Sequence, residues 1–252
     1  MRWCSSSPVE SCRWSGPELR RALAFLTPLG RATVPDARTM SWFPIVGALI
    51  GLIVGCVWWG TDRLWPPAVA AGLTIAADLA LTGMLHVDGL ADSADGLLPQ
   101  LPRARRLEVM SDPTVGAYGI AVTACVLLLR FGALASMQPS ILLIAGTWCA
   151  SRTVMAVAAR ALPYARAEGG LATAMLGGDW RPVGLYGVIA AVSLGAFAGG
   201  RRTEVAVAAG LVASAAVVLF ARRRLGGFTG DVLGAAGVVG ETAALVVAAA
   251  KW

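Results

Sequence analysis

Three carboxylates fall within eight residues of an otherwise apolar chain, in His86–Val87–Asp88–Gly89–Leu90–Ala91–Asp92–Ser93–Ala94–Asp95–Gly96. On a helix, residues three and four apart share a face. Asp88, Asp92 and Asp95 would then stand side by side, with Cβ atoms about 5–6 Å apart. Like charges at that separation repel by roughly 3 kcal/mol per pair at an effective dielectric near 20. A divalent cation completed by phosphate oxygens turns that repulsion into binding. Gly89 and Gly96 flank the acids, where a missing side chain lets a bulky phosphate ester approach. The plainer alternative is an interfacial helix with a solvated acidic face.

A second acidic pair, Glu108 and Asp112, follows in Arg105–Arg106–Leu107–Glu108–Val109–Met110–Ser111–Asp112–Pro113. Its i,i+4 spacing places both side chains on one helical face, and Pro113 predicts that the helix ends at Asp112. Five of the chain's 15 acids thus lie between residues 88 and 112. Two short helices joined around Pro99–Gln100–Leu101–Pro102 would clamp one or two metal ions; alternatively, Glu108 and Asp112 only pair with Arg105 and Arg106. A third segment is Arg222–Arg223–Arg224–Leu225–Gly226–Gly227–Phe228–Thr229–Gly230–Asp231. A glycine-rich turn before a helix can aim backbone N–H groups at a phosphate, with arginines adding bidentate donors. Its plainer reading is a basic anchor followed by Asp231 as an N-cap. The fourth segment, Leu162 to Gly170, carries Arg166 and Glu168 and reads as a loop.

These segments need elements to hold them. The chain of 252 residues is 57% hydrophobic and only 14% charged, with apolar runs long enough to cross a bilayer. The runs lack the alternation of barrel strands, which leaves an all-α polytopic membrane bundle. Seven spans are expected, at about 42–60, 67–86, 115–136, 140–162, 183–200, 203–220 and 232–250, with short cytoplasmic interfacial helices between them. The acidic stretch is expected to continue the second span out of the membrane. Residues 1–16 read as a disordered extension and 17–252 as one transmembrane catalytic domain.

The net charge of +6 is explained by arginine placement rather than by nucleic acid. With the N-terminus inside, fifteen of the 21 basic residues face the cytoplasm, four face outward, and Arg130 and Arg152 fall in spans. The positive-inside rule then fixes the orientation, with every motif on the cytoplasmic side. Cys4, Cys12, Cys56, Cys125 and Cys149 show no CxxC pairing. The three in apolar runs read as small buried hydrophobes. Asp78, Arg152 and Glu241 lie within spans, where charges are costly and are either functional or a mutually neutralising trio. Arg130 is expected to snorkel outward. His86 is the single histidine, for which a structural hydrogen bond is the plainer role.

Asp92–x2–Asp95–Gly96 with Glu108–x3–Asp112 is similar to the CDP-alcohol phosphotransferase signature. Pro99–Gln100 stands where that signature has Ala-Arg, which argues against membership. An ion-coupled transporter using Asp78, Arg152 and Glu241 is a further alternative, weakened by the lack of internal repeats.

Thr82–Gly83–Met84–Leu85–His86–Val87–Asp88–Gly89–Leu90–Ala91–Asp92–Ser93–Ala94–Asp95–Gly96 resembles the signature of the cobalamin synthase family, the adenosylcobinamide-GDP ribazoletransferases. Phe25–Leu26–Thr27, Trp42–Phe43–Pro44–Ile45–Val46–Gly47, Arg106 to Asp112, and Gly226 to Gly234 with Glu241 beyond resemble the same family. Ser151–Arg152 and Pro163–Tyr164–Ala165–Arg166 do so too. The motifs run in order from about residue 20 to 245. Met84 and Val87 replace a usual glycine and leucine, and Pro28–Leu29–Gly30–Arg31 departs from the family's stretch there.

The resemblance implies a bacterial cytoplasmic-membrane transferase dependent on Mg²⁺. Its acceptor, α-ribazole or α-ribazole phosphate, attacks adenosylcobinamide-GDP and GMP leaves. On that reading Asp88, Asp92, Asp95 and Asp112 hold the metal with Glu108 beside them, and Asp112 or Asp95 is the general base. Candidate substrate contacts are His86, Gly89, Gly96, Arg105, Arg106, Arg152, Arg166, Gly227, Thr229, Gly230, Asp231 and Glu241. The lipid bilayer is a partner, nucleic acid is not, and a homo-oligomer or association with other cobamide-pathway enzymes fits the reading.

Overall fold

The computed structural model describes residues 16–29, 36–166 and 176–251. The expected extension (save Gly16), Cys4 and Cys12, and the tail of the fourth segment from Ala167 to Gly170 lie outside them. Among the described residues ten helices follow one another: α1 Gly16–Leu26, α2 Phe43–Thr61, α3 Pro67–Leu81, α4 Leu85–Leu97, α5 Arg103–Val109, α6 Ala117–Ala135, α7 Ile141–Ala161, α8 Trp180–Gly199, α9 Arg201–Leu225 and α10 Gly230–Ala249. Among the described residues, the only β pairing is an isolated bridge between Tyr164 and Phe228. Six of the described helices are each long and apolar enough to cross a membrane: α2 with its preceding 3-10 turn, and α6 through α10. Their outer faces present Leu128, Leu185, Ile189, Phe197, Val212 and Leu219, the apolar surface that lipid requires.

The second expected span is shorter than the sequence suggested. α3 has 15 residues, about 22 Å of rise against a hydrocarbon core near 30 Å. It returns the chain to the end of the bundle where α2 begins. There Gly83 and Met84 both take φ near 59°, and the axis turns by 90° into α4. Left-handed backbone at two successive residues cannot continue a helix. The acidic helix therefore does not extend α3 but lies across the bundle's end, against the first turns of α6 and α10. We call this the acidic end.

Close helix approach rests on small residues. Gly47, Gly51 and Gly55 form a stripe on α2 whose missing Cβ atoms would meet Trp148, Ala145 and Ile141 of α7 at 2.5–2.8 Å. The intramembrane charges Asp78, Arg152 and Glu241 are mutually neutralised, with Arg130 joining them as a fourth member. Arg130 does not snorkel: it is 2% exposed. It donates to Asp78 at 2.8 Å and to Glu241 at 3.0 Å. Glu241 also accepts from Ser151 at 2.8 Å and pairs with Arg152. Trp148 Nε1 donates to Asp78 at 3.0 Å. Every carboxylate in this layer has a cationic partner, so α3, α6, α7 and α10 are tied at mid-bundle. Of the three cysteines in apolar runs, Cys149 is buried while Cys56 and Cys125 face outward.

Candidate functional site at the acidic end

α4 is clamped to its neighbours through its glycines and one of its acids. A Cβ on Gly89 would stand 2.8 Å from the Asp231 carbonyl oxygen, and one on Gly96 would stand 2.2 Å from the Met110 side chain. The space beside both glycines is filled by protein, so they serve helix crossing and not ligand approach. Asp95 is 8% exposed. Its carboxylate accepts from the backbone N–H of Gly116 at 2.7 Å and of Gly119 at 2.9 Å. These are donors in the first turn of α6, left unpaired by the helix itself, so Asp95 caps α6 from a neighbouring helix.

The second acidic pair is not on one helical face. α5 ends at Val109, earlier than Pro113 suggested, and Asp112 lies in the loop beyond it. Its carboxylate accepts from Thr114 N at 2.9 Å and Thr114 Oγ1 at 2.5 Å. Those bonds hold the acid below its usual carboxylate range. Glu108 pairs with Arg105 at 2.9 Å, both side chains 62% exposed. Arg106 is buried and donates to the carbonyls of Gly96 and Leu97, each at 2.8 Å, closing the end of α4. Arg105, Arg106, Glu108 and Asp112 thus stand apart from the remaining acids.

What the fold does bring together is Asp88 and Asp92 of α4, Asp231 of α10 and Arg166. Asp88 is exposed, and the other three are half-buried. Burial pushes the Asp92 carboxyl up to about 6, with the negative charges of Asp231, Asp88 and Asp95 adding to it and Arg166 opposing it. Arg166 donates to Asp231 at 3.1 Å and to the Met110 carbonyl at 3.2 Å. Thr229 Oγ1 sits 3.2 Å from Asp231 and caps α10, accepting from Val232 N at 3.3 Å. Thr229, not Asp231, is the N-cap. The glycine-rich turn is spent on docking: Gly227 lies against the Pro163 carbonyl. Phe228 and Ala165 exchange backbone bonds with Pro163 and Phe228 at 3.1 and 2.8 Å. Arg103 fixes the same loop by donating to Leu225 O at 2.6 Å and Ala165 O at 3.0 Å.

Beside these acids opens a cavity of about 260 Å³, lined at its mouth by Asp88, Arg166, Gly230 and Asp231 and inside by Phe25, Phe43, His86, Met155, Tyr164 and Leu233. His86 is buried, and its Nδ1 has no hydrogen-bond partner among the described residues. Arg152 and Glu241 lie deeper, engaged with one another. The residues that sequence reasoning missed are the cavity's apolar walls and the carboxylate role of Asp231. An acid opening the last span, just after a Gly-Gly turn, was the available signal. Its distance in sequence from the acidic stretch hid the contact. Among the described residues, no three His, Cys, Asp or Glu side chains are gathered closely enough to hold a metal by themselves.

The model of the Cobalamin-5-phosphate synthase family matches residues 18–249. An adenosylcobinamide-GDP ribazoletransferase of Leptothrix cholodnii is 40% identical over 222 residues, 80% of this chain and 81% of that protein. Proteins of the same name from Chlorobium chlorochromatii and Chlorobium phaeovibrioides are 34% and 31% identical. The first aligns over 91% of this chain and 93% of its own length, the second over 88% and 91%. No solved structure matches. The long apolar helices and the family match agree, and the chain belongs to the Cobalamin-5-phosphate synthase family, as a multi-pass membrane transferase of cobalamin synthesis.

Proposed function

We propose that the acidic end transfers the adenosylcobinamide phosphate group from adenosylcobinamide-GDP to α-ribazole or its phosphate, with Mg²⁺, releasing GMP. The observation that carries this reading is the group of Asp88, Asp92 and Asp231, balanced among the described residues by Arg166, with Asp88 and Asp231 lining a largely apolar cavity. Phosphoryl transfer is governed by positioning and charge neutralisation, and such a site supplies both.

The donor set fits Mg²⁺. It is hard carboxylate oxygen, burial and the neighbouring acids raise the Asp92 carboxyl, and among the described residues it is not a closed protein cage. Mg²⁺ usually takes one or two carboxylates and completes its shell with water and substrate phosphates. Asp88 and Asp92, one turn apart on α4, would hold it, with Asp231 facing them from α10. Bound there, the ion would neutralise charge on the diphosphate. Arg166, anchored by Asp231 and the Met110 carbonyl, presents its guanidinium to the same phosphates. The acceptor's hydroxyl proton passes to one of the three clustered carboxylates, Asp88, Asp92 or Asp231, because Asp95 is committed to α6 and Asp112 to Thr114. We place this end in the cytoplasm, where fifteen of the 21 basic residues then lie.

The test is GMP release by detergent-purified protein supplied with adenosylcobinamide-GDP and α-ribazole. Release should require Mg²⁺ and vanish in Asp92→Asn. Turnover that survives chelation defeats the metal assignment.

A further inference from the structure

The cavity behind the carboxylates has no assigned occupant, and its chemistry is selective. Its inner wall is aromatic and aliphatic, from Phe25, Phe43, Met155, Tyr164 and Leu233, and its one buried polar side chain is His86. At about 260 Å³ it falls below the roughly 300–1,000 Å³ of pockets that enclose a whole drug-sized ligand. It has room for one flat ring system, with the rest of the molecule outside.

Two unspent polar groups say how that ring is oriented. Among the described residues, the His86 Nδ1 is buried without a partner, and so is the Arg166 Nε at the mouth. Buried polar atoms of native proteins are nearly always paired, and of the eight orphans among the described residues these two belong to side chains that line the cavity, where a ligand would complete them. The inner one calls for a single hydrogen bond to a ring nitrogen, the outer one for a sugar or phosphate oxygen.

We infer that this cavity is the subsite for the heteroaromatic base of the acceptor, an apolar bicyclic ring hydrogen-bonded to His86, with its sugar emerging between Asp88, Arg166 and Asp231. The inference rests on the transfer reaction proposed above and deepens it. The competing occupant is the guanine of the donor. Guanine carries several donors and acceptors on its edge, and most would be stranded against Phe25, Phe43, Met155 and Leu233. An unsatisfied polar group is costly to bury. A benzimidazole, with an apolar outer edge and one free ring nitrogen, leaves nothing stranded. The emerging sugar would bring its hydroxyls to the acidic mouth, where the attack on phosphorus takes place.

The test measures equilibrium binding of free benzimidazole and of guanosine to the detergent-purified full chain, in the wild type, in His86→Phe and in Leu85→Trp. Leu85 lines the cavity from an exposed position, so its replacement fills the space without disturbing the core. Benzimidazole should bind the wild type and resist displacement by guanosine. It should bind His86→Phe about tenfold more weakly, the loss of one hydrogen bond, and not measurably bind Leu85→Trp. His86→Phe removes a stranded polar atom, so its thermal stability should match or exceed the wild type. In turnover, the KM for α-ribazole should rise in His86→Phe while that for adenosylcobinamide-GDP holds.

Displacement by guanosine overturns the subsite. So do benzimidazole affinities unchanged in both variants, or a KM shift confined to the donor. Wild-type GMP release is read separately. Failure of release with intact, His86-dependent benzimidazole binding would sink the reaction and keep the subsite. The reverse pattern would do the opposite.

Discussion

At the scale of single residues, the acids of this chain divide by what their oxygens already bind. Asp95 and Asp112 are supplied with backbone or hydroxyl donors, whereas Asp92 is surrounded by other carboxylates. With its carboxyl raised to about 6, ionisation of Asp92 is disfavoured in the folded chain. Its contribution to stability is therefore full below the unfolded value of about 3.9 and lost as pH rises through about 6. Thermal unfolding with a chelator present should show the midpoint falling between about pH 4 and 6. Added Mg²⁺ binds the ionised form, so its stabilisation should grow over the same interval. Asp92→Asn should flatten both trends. A Mg²⁺ effect equal at pH 5 and pH 7 would contradict the assignment.

The same division separates the acids in turnover. Asp112→Asn and Glu108→Gln should each lower kcat far less than Asp92→Asn, measured as GMP release. Equal losses would mean that the 110–116 loop closes onto the substrate. The three-and-four spacing of Asp88, Asp92 and Asp95 was legible in the sequence as an acidic helical face. What spacing could not reveal was that Asp95 faces the start of α6, because that depends on the 90° turn at Gly83–Met84. Nor could it show that α5 stops at Val109, which separates Glu108 from Asp112.

At the scale of elements, α4 is the part that makes a site possible. It is held crosswise by three devices: glycine contacts with α10 and Met110, the Arg106 guanidinium on its last carbonyls, and the Asp95 carboxylate on α6. Together they join α4 to α5, α6 and α10, so the face carrying Asp88 and Asp92 is fixed relative to Asp231. Removing Asp95 leaves two N–H groups at the start of α6 without their acceptor. Asp95→Ala should therefore cost about 1–3 kcal/mol of stability. The measurement is the shift in thermal unfolding midpoint, compared with Asp88→Ala, which should shift it little because Asp88 is exposed and caps nothing. A shift in Asp95→Ala no larger than in Asp88→Ala would remove the capping role. Six of the seven expected crossings were readable from apolar length, within about five residues at each end, whereas the second ends early at Leu81. The seams were less so: the Gly47–Gly51–Gly55 stripe was visible, but its partner α7 was not, since small residues mark a close approach without saying to which helix.

At the scale of the whole molecule, charge is sorted into two depths. The mid-bundle layer of Asp78, Arg130, Arg152 and Glu241 is closed upon itself. It offers no open charge for an ion to bind in transit, which removes the ground for a transporter. The clustered acids Asp88, Asp92 and Asp231 are at one end, together with the cavity and most of the described arginines. A phosphorylated nucleotide is membrane-impermeant for the same reason that charges are expensive in lipid, so this end must face the compartment that holds the substrates. On the orientation proposed from the arginine asymmetry, that compartment is the cytoplasm. A cysteine introduced at Ser111, in the exposed loop of the acidic end, and another at Gly200, in the tight turn between α8 and α9, discriminate the two orientations in a cysteine-free background. In intact cells, a membrane-impermeant thiol reagent should label the Gly200 variant and spare the Ser111 variant until the membrane is permeabilised. The opposite pattern would invert the protein. The carboxylate cluster would then open away from the cytoplasmic nucleotides, and the proposed reaction would lose its donor.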